Sequence, residues 1–432
     1  MTHAREDLAA VLGGVMSNLD NSTSLCVHGH VVPTLFIIGC MKCATTSLHH
    51  ALLMSAADSA ILEGTCPGGL SRFQCTYRTK VRTSARARRG RRNAARAHAS
   101  ERASRARRSR EQEKHFFDND QYYAQGFKAY AELYPSCTER ESGARGARAA
   151  RALSWLAGRK RRDADATPAG AAARPPPPLR VAVDASPSYI RHPTVPARIV
   201  ACYGAARIAA RVRFVAVLRE PVSRLFSQYH MTHNGKAAGP FEPWAAEQLA
   251  LAAEYFRATG GAADAARAGR FDMASVFAFN NRGRAIGARS RARRGLRAGN
   301  RGRAKAAPAA APRGEMQLQW SAYAYQLRHW LAHVPAERLV VASFSRFRAD
   351  PQRVQRELLG LLGVSANGTA LDAHDPAAEK RNSYSANRTL DPAVRARLEA
   401  FYEPHNRELF ELIRSSGVRV LPRLRQGEEF AF

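Results

Sequence analysis

The first thirty residues contain no apolar run near the 18 or so residues that a membrane span requires, because Asp, Glu, Arg and His interrupt every short one. No targeting segment is visible there, so the sequence reads either as a soluble protein or as a longer product without its N-terminal anchor. Cysteine is scarce: seven occur, at positions 26, 40, 43, 66, 75, 137 and 202. That is too few and too irregular for a disulfide-stapled scaffold, while leaving room for an isolated bridge and the redox compartment open. Acidic residues are also scarce, 36 against 67 Lys and Arg, for a net charge of +31. Such an excess ordinarily points to nucleic acid or another polyanion. Its placement argues otherwise: residues 78 to 110 carry +13, residues 282 to 305 carry +10 and residues 140 to 174 carry +6, which leaves +2 for all the rest. A near-neutral body with three basic inserts is unlike a DNA-binding domain, whose charge sits on its folded elements, so no nucleic-acid polymer is expected as partner. Internal repeats are lacking too.

What is present suffices for a large core, since 45% of residues are hydrophobic. Short apolar runs rich in β-branched residues read as buried strands at residues 31 to 39, 179 to 183, 212 to 218 and 338 to 343. Helical spacing follows at about 45 to 54, from Pro221 onward, and at about 242 to 257, 321 to 333, 351 to 362 and 392 to 413. Strands alternating with helices predict a three-layer α/β fold, a parallel central sheet with helices on both faces. The expected layout is a poorly structured segment 1 to 30, one domain over 31 to 414 and a tail over 415 to 432. Arg- and Ala-rich inserts at about 78 to 110, 140 to 178 and 282 to 313 lack the bulky apolar groups that would offset ordering entropy.

Two strand-to-helix turns carry chemistry. In Gly39-Cys-Met-Lys42-Cys43-Ala44-Thr45-Thr46-Ser47 the helix start supplies backbone N–H groups and a positive dipole end, and Lys42 adds a point charge. A phosphate or phosphosulfate fits such a cradle. The nucleotide-triphosphatase loop G-x-x-x-x-G-K-[ST] is absent, which disfavours an ATPase. The competing reading is a solvated lysine in an ordinary turn, and Cys40-Met-Lys-Cys43 also has the form of a thiol-redox pair. In the second turn, Arg219-Glu-Pro-Val-Ser-Arg-Leu-Phe-Ser227, Arg219 and Ser227 are placed to clamp a second phosphate, unless Arg219 merely pairs with Glu220 or another acidic side chain nearby. Two cradles on one sheet imply a doubly phosphorylated nucleotide.

The segment PTLFIIGCMKCATTSL resembles the 5′-phosphosulfate loop of sulfotransferases that use 3′-phosphoadenosine-5′-phosphosulfate (PAPS), and VRFVAVLREPVSRLFSQY resembles their 3′-phosphate motif. EKHFFDNDQYYAQGFKAYAELYP is similar to the acceptor-side segment of the carbohydrate and heparan-sulfate type, and VDASPSYIRHPTVPARI and the C-terminal third also follow that family's order. The resemblance implies a P-loop-like PAPS-binding domain without metal. Lys42 would contact the phosphosulfate bridge, Thr45, Thr46 and Ser47 with Cys43 and Ala44 would form the 5′ loop, and Arg219 and Ser227 would hold the 3′-phosphate. Glu113 would be the base, His115 a secondary proton-handling group, and Lys380 and Arg381 a late nucleotide-binding loop. A glycan acceptor and a Golgi-lumen setting are also implied, although no segment here signals that organelle and the cytoplasm stays open. The chain departs from the pattern at Ala185, where heparan-sulfate members usually carry lysine, and at Ala44 in place of the commoner glycine, which a helical backbone there would tolerate. Two rivals from other classes are a non-catalytic polyanion-binding protein and a thiol oxidoreductase built on Cys40 and Cys43.

Overall fold

The computed structural model describes residues 24–55, 61–63, 114–137, 180–233, 240–259, 270–282, 315–364, 389–425 and 428–432. The chain builds one six-stranded sheet, and every pairing in it is parallel. In chain order the strands are β3 (Pro33–Gly39), β4 (Ile61–Glu63), β5 (Val181–Asp184), β6 (Arg213–Leu218), β7 (Leu339–Ser343) and β8 (Arg419–Leu421). In space they run β4-β5-β3-β6-β7-β8. A sheet covered on both faces has no solvated side, and accordingly β3, β5 and β7 are buried along their whole lengths. The expected α/β architecture is thus observed.

The order of strands fixes where a ligand can sit. From β3 the chain moves toward β4 and β5, whereas from β6 it moves toward β7 and β8. Adjacent strands whose connections diverge leave a crevice at their carboxyl ends, the usual ligand position in an open parallel sheet. One helix leaves each strand there: α1 (Thr45–Ser55) after β3 and, further along, the helix Pro221–His233 after β6.

Helix α1 packs on β3 and β4 and against the helix Pro351–Leu361, which reaches β8. On the other face Phe36 of β3 stacks with Phe214 of β6 at 5.4 Å and meets Phe117 and Tyr203 edge-on, and Phe214 reaches Trp330. A second apolar cluster gathers Val222, Leu225, Tyr229, Phe241, Tyr255, Phe271 and Tyr402 beneath the β6 helix. Gly39 ends β3 where no side chain fits: a Cβ there would lie 2.8 Å from Cβ of Ile190.

Two terminal expectations change. Residues 26 to 31, all but Val31 inside the stretch 1 to 30 expected to be poorly structured, form a hairpin of β1 (Cys26–Val27) and β2 (His30–Val31). His28 and Gly29 turn it with positive φ, the primed geometry that matches strand twist. It is tied down by Val31 N–H donating to Pro135 O at 2.9 Å and by a Cys26–Cys137 disulfide with Cα atoms 6.2 Å apart. The C-terminal tail is not a bare extension either, because it supplies edge strand β8 and buries Phe430.

Candidate active site

The turn after β3 is held in an unusual backbone shape. Lys42 (φ 69°) and Ala44 (φ 62°) both lie in the left-handed region, on either side of Cys43. Ala44 is therefore not helical as its methyl would prefer, and the conformation costs about 1 kcal/mol that glycine would avoid. Leu48 N–H bonds Ala44 O at 2.9 Å, so Ala44 caps α1 and the N–H groups of Thr45, Thr46 and Ser47 form its unpaired first turn. No acidic residue occupies that turn. The sulfurs of Cys40 and Cys43 are bonded and both residues are buried.

The turn after β6 meets it side by side. Arg219 Nη1 donates to Lys42 O at 3.1 Å, and Cys40 N–H donates to Val217 O at 2.9 Å. Tyr323 ties both turns, its hydroxyl donating to Arg219 O at 2.8 Å and lying 3.5 Å from Cys40 Sγ. Arg219 does not pair with Glu220 in the way the competing reading supposed. The Glu220 carboxylate instead folds onto the start of its own helix and accepts from Val222 N–H and Ser223 N–H, each at 2.7 Å. Ser227, one turn further on, is buried.

Bringing two cations together under a protein wall has an electrostatic signature. Burial pushes the Lys42 ammonium down from its ordinary 10.5 to about 8, and the Arg219 charge pushes the same way. Arg219 is itself lowered by burial, with Tyr323 and Glu220 acting against that shift and Arg224 adding to it. Arg224 is 1% exposed and donates from Nε to Ser321 Oγ at 2.5 Å, while its Nη2 has no hydrogen-bond partner among the described residues. Arg191 is likewise lowered by burial, with Glu315 and Asp118 opposing that shift and Arg224 adding a smaller push in the same direction. Lys42, Arg219 and Arg224 are thus positive groups that feel one another. Positive groups crowded in this way are stabilised when an anion enters.

Residues 114 to 118 are held at the end of β5. Asp184 at the end of β5 is wholly buried and accepts from Ser186 Oγ (2.7 Å), Tyr130 OH (2.8 Å) and Tyr189 OH (3.1 Å). Burial raises its carboxyl above the usual range, and these hydrogen bonds oppose the rise. Ser186 Oγ in turn receives Lys114 N–H and His115 N–H, so one buried carboxylate positions residues 114 and 115. Lys114 lies near enough to the buried His49 of α1 to help lower it, after burial, to about 3. Beyond it, His115 Nδ1 lies 3.0 Å from Asp118 Oδ2, and Ser188 Oγ donates to the same oxygen at 2.5 Å. Burial would raise the Asp118 carboxyl, but the His115 and Ser188 contacts outweigh it and hold the group below its ordinary value.

No known protein family matches the sequence, and no curated protein matches it either. Among solved structures, a sulfotransferase from Alicyclobacillus acidocaldarius is similar at a TM-score of 0.40 and 18% sequence identity, over 89% of this chain and 96% of that one. The chemistry of the site rests on its side chains and not on that likeness.

Of the residues singled out from sequence, Lys42, Cys43, Ala44 and Arg219 fall on the two adjoining turns, Thr45, Thr46, Ser47 and Ser227 fall in the helices that follow them, and His115 falls on the segment held by Asp184 and Ser186. Glu113, Lys380 and Arg381 lie outside the described residues, as do the bodies of the three basic inserts. Among the described residues no helix is long and apolar enough to cross a membrane. Sequence reasoning missed Asp118, Ser188, Asp184 and Arg224. The His115-x-x-Asp118 and Asp184-x-Ser186 spacings were the available signals, whereas Ser188 meets Asp118 across 70 positions and Arg224 meets Ser321 across 97.

Proposed function

We propose that the protein transfers a sulfuryl group from PAPS to a hydroxyl or amine of a glycan acceptor. The observation that carries this reading is the hydrogen bond from Arg219 Nη1 to Lys42 O, which sets the two partly buried cationic residues on adjoining turns at the carboxyl ends of β3 and β6. The residues present fit the nucleotide. The unpaired N–H groups of Thr45 to Ser47 suit the 5′-phosphosulfate, and Arg219 with Ser227 suits the 3′-phosphate.

In the reaction PAPS supplies an activated S–O bond to phosphate. The acceptor oxygen bonds to sulfur as the sulfur–phosphate oxygen bond breaks, and the acceptor proton passes to a base, the Glu113 carboxylate. His115, held by Asp118, stands two residues away as a second proton-handling group. Lys42 holds the negative charge that gathers on the departing phosphate oxygen. Lysine suits that role in its protonated form, which at neutral pH remains the major one for a pKa of about 8.

The experiment is a transfer assay with sulfur-labelled PAPS against a panel of glycans and small alcohols, beside binding of the desulfated nucleotide. Glu113→Gln is expected to abolish most transfer while sparing nucleotide binding; full turnover in that variant removes Glu113 from the mechanism. A chain that never binds the nucleotide is a scaffold, as the polyanion-binding rival requires. The thiol rival predicts that Cys40→Ser and Cys43→Ser abolish activity while Lys42→Ala does not. Both sulfurs are buried, contrary to what an exchanging pair needs.

A further inference from the structure

Next to the segment that carries His115 and Asp118 lies a cavity of about 260 Å³ whose wall includes Asp118, Arg191, Phe277, Glu315, Gln319 and Trp320. The His115–Asp118–Ser188 cluster meets it at Asp118 and Ser188. Three features of the wall point to an occupant. First, Gln319 is 1% exposed, and neither its amide oxygen nor its amide nitrogen has a hydrogen-bond partner among the described residues. A buried amide with both functions unpaired is costly, and a ligand group that donates and accepts at once relieves it. A hydroxyl does both. The Arg191 Nε is likewise buried and unpaired.

Second, Arg191 is stacked on Trp320 at 3.9 Å, and Phe277 is the one large apolar side chain exposed among the described residues, at 38%. These flat surfaces suit a ring. The volume lies at the bottom of the range for ligand pockets, room for one ring and not for a chain of them.

Third, the described wall holds one guanidinium against two carboxylates, and Glu315 and Asp118 both act electrostatically on Arg191. A sulfated or carboxylated ring would place its charge among two like charges.

We infer that this cavity is the acceptor site and takes a single uncharged, hydroxyl-bearing ring, as a lone sugar or a phenol, rather than a unit of a polyanionic chain. This deepens the sulfuryl-transfer reading and rests on it only for the fate of the hydroxyl, because occupancy is measured without nucleotide.

The test is equilibrium binding to the full chain of three probes: a methyl glycoside, 4-methylphenol and a sulfated disaccharide. The expected result is that an uncharged probe binds at least about tenfold more tightly than the sulfated one, and that Gln319→Leu weakens it about tenfold. The glycoside and phenol arms tell which ring is preferred. Tighter binding of the sulfated disaccharide overturns the inference, as does the failure of both uncharged probes to bind. So does unchanged binding in Gln319→Leu, a substitution of similar size whose fold is checked by its circular dichroism and its midpoint in denaturant unfolding. If an uncharged probe binds in a Gln319-dependent way and the nucleotide does not bind, the cavity stands and sulfuryl transfer falls. If the nucleotide binds and neither uncharged ring does, sulfuryl transfer stands and the cavity is not the acceptor site.

Discussion

The turns after β3 and β6 are both strand-to-helix connections at one sheet edge, yet they offer an anion different things. The first has two left-handed residues and a helix start whose opening turn holds no acidic residue and whose first N–H groups have no intrahelical partner. The second has filled its own helix start with the Glu220 carboxylate, so it contributes a guanidinium and little backbone. The comparison teaches that a helix N-terminus is an anion site only while the chain keeps its own carboxylates out of it. Strained backbone collects on the turn that keeps its donors free, where an incoming group can satisfy them.

Lys42→Ala would test that contrast most severely. Removing the charge from the first turn should weaken the desulfated nucleotide by about hundredfold, near 3 kcal/mol for a charged hydrogen bond; a loss under threefold would show that the first turn is not the cradle. Gly39→Ala strikes the same turn through its packing, because the new Cβ would meet Ile190 at 2.8 Å. We expect about 2 kcal/mol of lost stability in denaturant unfolding, and an unchanged midpoint would mean that Ile190 moves freely. Arg219→Lys keeps the charge of the second turn but loses the planar fork that reaches Lys42 O, and about tenfold weaker nucleotide binding should follow. Glu220→Ala should cost about 1 kcal/mol of stability as a lost helix cap while leaving nucleotide affinity within twofold. Tighter binding there would reveal that the second helix start accepts an anion once emptied.

The smallest effect is in protons. Since Lys42 titrates near 8 in the folded chain and near 10.5 when unfolded, the unfolded state binds more protons between those values, and ligand-free stability should rise with pH across that window. An anion restores the lysine charge, so nucleotide binding at pH 8 to 9 should take up a fraction of a proton, measured as buffer-dependent binding heat. Equal heats in all buffers would place Lys42 away from the ligand.

Much of this arrangement was legible. The apolar runs located β3, β5, β6 and β7, because strands buried on both faces announce themselves by continuous β-branched residues. Edge strands β4 and β8 have three residues each and no such run, and they exist by pairing with a neighbour. The helices Val195–Tyr203 and Ala205–Arg211 escaped for a related reason: Gly204 breaks them with φ 80°, leaving two periods too short to read. The two turns were visible as contiguous motifs. The cavity was not, since Asp118, Arg191 and Gln319 come together only when three distant segments fold. The Cys26–Cys137 pairing was equally hidden, with 111 positions between its partners.

That Lys42 and Arg219 are 177 positions apart while β3 and β6 are immediate neighbours has a consequence for the growing polypeptide. A nascent chain emerging from the ribosome makes β3 early but has nothing to set against that flank until β6 has been synthesised. Retention of a partial chain on an immobilised nucleotide would therefore begin only past Arg219, which makes capture a timer for closure of the sheet's centre.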